Sequence, residues 1–318
     1  MSAHHSLLQA ISILALTLVH ACAGKTSGKP DDAGVGGSSA GGGGSGQEAG
    51  TGGGGGTAGS AGHSLGGSAP AQGGGSGGEG GAAGCGSCGP LEQCWNGQIC
   101  VARLVPMPNG YSIDATEVTR DQYAAWLASN PSTSGQDLWC SFNTDFTPGC
   151  PDLDGGGEWP PGNKGNHPVV CMDWCDAFAY CKAVGKRLCG RIGGGANDFN
   201  DEAHSQWYEA CSSGGQFAYP YGNTFAYETC NGAIGTTAVG SLSGCQSPVS
   251  AYAGVYDLSG NVLEWEDSCA TISTFGTCRL RGGAAGNNDY PALLQCTSSS
   301  SCERICIANS IGFRCCAP

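Results

Sequence analysis

Three stretches of the chain carry apolar residues at helical spacing, each with its own start and stop signals. In the first, Thr119 and Gln122 have the spacing of a capping box, Tyr123, Trp126 and Leu127 follow as the inward face, and Asn130-Pro131 ends the run. A second helix is predicted to start at Asp173, to turn Trp174, Ala177, Phe178 and Cys181 inward, and to stop near Gly185. The third places His204, Trp207, Tyr208 and Cys211 at i, i+3, i+4 and i+7, ahead of Gly214-Gly215. Elsewhere in residues 102–318 Gly, Ser, Asn and aromatic residues predominate, and alternating stretches are short. The pattern predicts a loop-rich α+β domain, long enough to bury one sizeable core.

The pattern before residue 102 is different. Leu7 to Val19 is an apolar run too short to span a bilayer comfortably, as suits a secretory signal over residues 1–21. It leads into Val19-His20-Ala21-Cys22, which resembles a bacterial lipobox and makes Cys22 the expected site of lipid attachment. An ordinary secretory signal cleaved nearby is the alternative. Residues 31–84 hold 26 of the 58 Gly. With almost no large side chain to bury, residues 22–84 are expected to act as a flexible tether with an r.m.s. span of roughly 40–47 Å.

Charge and cysteine content narrow the classes. A formal charge of -13, with 13 scattered Lys and Arg, argues against a nucleic-acid surface. The folded part has just His167 and His204, so a multi-imidazole site is excluded. Of 21 Cys, setting Cys22 aside leaves an even 20, enough for ten disulfides formed in an oxidising compartment. Residues 85–101 carry Cys85, Cys88, Cys94 and Cys100, read as a two-disulfide module in preference to a zinc site. Cys175 and Cys181 are six positions apart, about 600° around a helix, so they should seek separate partners. The acidic turn Asp152 to Glu158 is read as a plain loop.

Taken in order, several segments resemble the formylglycine-generating enzyme, or sulfatase-modifying factor, family. They are Ile113-Asp114-Ala115-Thr116-Glu117-Val118-Thr119, Pro168-Val169-Val170-Cys171-Met172-Asp173-Trp174, Gly185-Lys186-Arg187-Leu188, Trp207-Tyr208-Glu209-Ala210 and Tyr219-Pro220-Tyr221-Gly222. The run from Val255 through Asp257-Leu258-Ser259-Gly260-Asn261-Val262-Leu263-Glu264-Trp265 matches best, and Arg281-Gly282-Gly283 and Gly312-Phe313-Arg314 close the series. The resemblance implies a disulfide-dense variant of the C-type lectin fold.

It also implies which chemistry is absent. Oxidising members of the family resemble Arg-Gly-Gly-Ser-x-x-Cys-x4-Cys, the two thiolates holding copper. That pattern falls here on Asn287 and Ala292, neither of which replaces a thiolate, so copper is not expected. An alternative enzyme would use a relocated pair such as Cys296 and Cys302. The family's calcium positions imply ligands from Asp257, Gly260, Val262 and Glu264, with Asn231 and Gly232 as part of a second site, and carboxylate and carbonyl oxygens suit that ion. The resulting expectation is a non-catalytic lipoprotein of the cell envelope, exported and tethered to a bacterial, outer membrane through Cys22. It would present aromatic and Gly-rich loops to a carbohydrate, peptide or protein.

Overall fold

Local side-chain chemistry starts each helix in the computed structural model, which describes residues 85–86, 88–150 and 159–318. Helix α1 (Arg120–Leu127) begins at Thr119, whose Oγ1 accepts from Gln122 N at 3.2 Å while Thr119 N donates back to Gln122 Oε1 at 3.1 Å. Helix α2 (Trp174–Ala183) repeats the device with Asp173 and Asp176. Helix α3 (Gln206–Ser212) is capped by Ser205 and ends at Ser213, which takes a left-handed conformation. His204 therefore precedes α3 instead of lining its inward face. It is exposed, with Nδ1 2.7 Å from Asp201 Oδ2, because the Ser205 hydroxyl offers the better cap.

Among the described residues ten short strands form three sheets. The strands β1 (Glu92–Trp95) and β2 (Ile99–Ala102) make a hairpin. Strands β3 (Leu104–Pro106), β4 (Ser112–Asp114), β5 (Arg187–Leu188) and β10 (Cys315–Ala317) form a sheet in the order β3-β4-β10-β5. The third sheet is β8-β7-β6-β9, from β6 (Leu263–Cys269), β7 (Thr277–Arg281), β8 (Ser299–Glu303) and β9 (Ile311–Phe313). In it β9 lies parallel to β6, setting Gly312 against Glu264. The C-terminal segment thus contributes to two sheets, which brings Arg314 between them.

The main core is aromatic. Tyr123 stacks on Tyr180 at 5.5 Å, and Trp126 and Phe313 meet them edge-on. Each such pair adds about 0.5–1.5 kcal/mol beyond the area it buries. The hairpin shares this core through Val101, and its Trp95 lies over Gly185. Gly185 has φ +69°, and a Cβ there would come 2.0 Å from the indole, so both the helix end and the hairpin contact require glycine.

Ten disulfides join the described cysteines. Cys175 and Cys181 have separate partners, Cys140 and Cys315, as their helical spacing predicts. Cys316 bonds Cys189, so strand β10 is bound once to α2 and once to the segment that follows it. Dense disulfides mark a protein that matures outside the reducing cytosol. Among the described residues no helix is long and apolar enough to cross a membrane. The proposed signal, Cys22, the whole tether and the Asp152 to Glu158 turn lie outside the described residues.

Candidate functional site

The segment from Asp257 to Asn261 is a tight loop at the entrance to β6. Asp257, Gly260 and Asn261 all have positive φ, of 62°, 79° and 60°, a region that Asn, Asp and Gly tolerate best. A Cβ on Gly260 would sit 2.2 Å from Asn231 O, which explains the glycine. Asn261 then ties three distant segments together. Its N donates to Asn231 O at 2.7 Å, its Nδ2 to Glu117 Oε1 at 3.0 Å, and its Oδ1 accepts from Thr237 N at 2.9 Å.

This loop gathers three buried acids. Glu117, Asp257 and Glu264 are 0%, 3% and 1% exposed, and the one guanidinium among them belongs to Arg314, itself fully buried. Arg314 holds Glu264 through Nε to Oε2 at 2.7 Å and Nη2 to Oε1 at 2.8 Å, and Trp207 Nε1 donates to Oε2 at 2.9 Å. Both oxygens of Glu264 are therefore engaged. Burial would lower the pKa of Arg314, but Glu264 first and then Glu117 and Asp257 hold it above its ordinary value.

Glu117 and Asp257 are left facing each other. Burial, followed by the Asp257 charge, pushes Glu117 well up. Burial pushes Asp257 up to about 6, against a hydrogen bond from Gly240 N. Glu117 Oε2 has no donor. Two carboxyls in that position need a proton or a cation between them.

Asp257 and Glu264 were expected to be the two acidic ligands, whereas Glu264 is neutralised by Arg314 and the acid opposite Asp257 is Glu117. Hard oxygens of Glu117 and Asp257 suit calcium chemically. Asn231 and Gly232 do come beside Gly260 and Asn261. The Asn231 carbonyl accepts from Asn261 N, and that of Gly232 from Gly286 N and Asn288 N at 2.8 and 3.1 Å. Spacing alone could not identify Glu117, because it lies 144 positions before Asn261.

Asn287 and Ala292 occupy the stretch after Arg281-Gly282-Gly283. Asn287 Oδ1 accepts from Ala284 N at 2.8 Å, a local turn, and Ala292 is exposed on a 3-10 turn over Pro291–Leu294. Beside them Tyr219 and Tyr221 stack at 5.5 Å, Phe225 leans on Tyr219, and Tyr219 Oη donates to Pro291 O at 3.2 Å. Tyr290 and Leu293 on the same turn are 59% and 43% exposed. The alternative cysteine pair does not form. Cys296 is bonded to Cys211 and Cys302 to Cys306.

The model of the sulfatase-modifying factor enzyme 1-like domain matches residues 88–317. The chain belongs to this family. A formylglycine-generating enzyme of Thermomonospora curvata is 30% identical over 205 residues, covering 53% of this chain and 62% of that protein. An inactive C-alpha-formylglycine-generating enzyme 2 of Bos taurus is 32% identical over 165 residues, 46% of this chain and 49% of that one. The chain thus spans less than two thirds of these curated relatives. Among solved structures, CarF is 21% identical with a TM-score of 0.43, over 65% of this chain and 86% of CarF. PvdO from Pseudomonas aeruginosa is 20% identical with a TM-score of 0.41, over 69% of this chain and 94% of PvdO. The family match covers the hairpin as well as the larger domain.

Proposed function

We propose that this chain is a non-catalytic binding member of the sulfatase-modifying factor family, exported and held at the cell envelope by lipid on Cys22. The observation that carries the reading is the pair Asn287 and Ala292 at the positions where the family's copper chemistry uses thiolates. An amide bound into its own turn and a methyl group supply no soft ligand. The twenty cysteines of the described residues are all bonded, which supports the same reading.

Exposed Tyr290 and Leu293, beside half-buried Tyr221 stacked on buried Tyr219, give the binding reading a surface. Exposed aromatic rings stack on sugar rings or peptide side chains with little entropy cost, so a carbohydrate, peptide or protein is the proposed ligand class. Calcium is proposed to serve structure, neutralising Glu117 and Asp257 and so steadying the loop from Asp257 to Asn261.

The test compares the native protein with an Asn287→Cys/Ala292→Cys variant for copper(I) affinity and for oxidation of a cysteine peptide. Native protein inactive in both assays supports the reading. Copper(I) binding with peptide oxidation by the native protein overturns it. The anchor is checked by mass spectrometry of the mature N-terminus, where an unmodified terminus away from Cys22 would reject it.

A further inference from the structure

The first two disulfides differ from the other eight in exposure and in the mutual proximity of their sulfurs. Cys94 is exposed, and Cys85, Cys88 and Cys100 are half-buried. Their bonds, Cys85–Cys94 and Cys88–Cys100, are the two of the ten in which neither cysteine is buried, since each of the other eight has at least one buried member. The sulfurs of Cys85, Cys88 and Cys100 lie within 4.8 Å of one another. Cys94 and Cys100 are also direct register partners across β1 and β2, although neither is bonded to the other. Register partners in an antiparallel pair have Cα atoms about 4.5–5.5 Å apart and side chains on one face, within the range a disulfide accepts.

We propose that the β1–β2 hairpin is a thiol–disulfide exchange site, at which an external low-molecular-weight thiol attacks Cys94 and the four cysteines change partners. This inference goes beyond the binding role and uses none of the groups in the acidic site.

The steps balance without an oxidant. The external thiolate bonds to Cys94 Sγ, the Cys85–Cys94 bond breaks, and its electron pair leaves on Cys85. The Cys85 thiolate then attacks Cys88 Sγ, forming Cys85–Cys88 and releasing the Cys100 thiolate. Cys100 attacks Cys94 across the hairpin, forming Cys94–Cys100 and expelling the external thiolate, which takes back its proton from solvent. Two disulfides become two others, and the thiol is regenerated. A second external thiol that intercepts the adduct on Cys94 would instead leave with the first as a disulfide, reducing the hairpin by two electrons.

The hairpin can change partners without opening the core. Trp95 over Gly185, the Gln122 Nε2 bond to Glu92 Oε1 at 2.9 Å, and the Leu104 N bond to Gln93 Oε1 at 3.1 Å hold its backbone independently of those sulfurs. The other eight disulfides, each partly or wholly inside the domain, offer an incoming thiol less access, and exchange rates depend on access.

The experiment uses the full chain with reduced glutathione, quenching by N-ethylmaleimide and peptide mapping by mass spectrometry. The expected result is glutathione first on Cys94, then peptides joined through Cys85–Cys88 and Cys94–Cys100, about tenfold or more faster than any change in the other eight bonds. First modification at another disulfide, or hairpin cysteines that keep their original partners, overturns the proposal. A Cys94→Ser variant gives a second reading, because its Cys85 thiol should attack Cys88–Cys100 unaided and divide the label between Cys85 and Cys100. Label confined to Cys85 would also overturn the proposal, and the native-protein experiment decides the matter if that variant does not fold.

Discussion

Arg314 closes a two-point fork on Glu264, with Nε and Nη2 at 2.7 and 2.8 Å from the two carboxylate oxygens. The same guanidinium donates to Asp114 O at 3.1 Å and Tyr256 O at 2.8 Å, so one side chain joins β6, the end of β4 and the loop at Asp257. Arg314→Met should destabilise the protein by about 3–5 kcal/mol, because it leaves Glu264 charged and buried with one Trp207 hydrogen bond. Glu264→Gln should cost less, since the amide oxygen still accepts from Trp207. Urea unfolding monitored by tryptophan fluorescence would measure both, and equal losses would count against the fork as the controlling interaction.

Calcium should raise the melting temperature, and chelation should lower it. Glu117→Gln or Asp257→Asn should remove the calcium response, whereas Glu264→Gln should retain it because Arg314 already occupies that carboxylate. Calorimetry with calcium and with chelator distinguishes the two groups. Loss of the response in Glu264→Gln alone would put the ion back on that residue.

Asp257 also makes stability depend on pH in a defined direction. Its native pKa is about 6 against an ordinary 3.8, so between those values the folded protein holds the proton that the unfolded chain has released. Without divalent cation, the stability contributed by Asp257 is therefore full below the ordinary value and is lost as pH rises through about 6, by up to about 3 kcal/mol. Half-buried Asp267, also pushed up to about 6 by desolvation, acts in the same direction. Thermal unfolding from pH 4 to 7.5 in chelator should show the fall, Asp257→Asn should reduce it, and calcium should oppose it. A flat profile would contradict the burial of these carboxyls.

Gly185→Ala should destabilise by about 2–4 kcal/mol, combining a non-glycine residue at φ +69° with a collision against Trp95. Adding Trp95→Ala should recover the collision part and leave the backbone part. A double-mutant cycle in urea measures the coupling, and additive losses would mean the hairpin does not rest on this glycine.

The elements legible along the chain were those made by neighbours. The Thr119–Gln122 capping box, the start of α2 at Asp173 and the separate partners of Cys175 and Cys181 follow from residues within two turns of helix. His204 shows the limit even at short range, since apolar spacing extended α3 to it while the Ser205 hydroxyl began the helix one step later. The family motifs brought Asp257 and Glu264 forward together as calcium ligands, seven positions apart on one segment, although the fold assigns them different partners.

By itself the sequence determined where the first two helices start and that twenty cysteines could pair, and its resemblance to the family set Asn287 and Ala292 where thiolates would be required. These properties depend on residue type and local spacing, which the chain carries with it unfolded. Tertiary structure alone decided that Arg314 neutralises Glu264, that Glu117 faces Asp257, and that the small cysteine module is bonded Cys85–Cys94 and Cys88–Cys100. Those pairings join residues from separate segments, and whether a carboxylate meets a guanidinium or another carboxyl is set by the topology that brings the segments together and by the burial that makes the encounter costly or favourable.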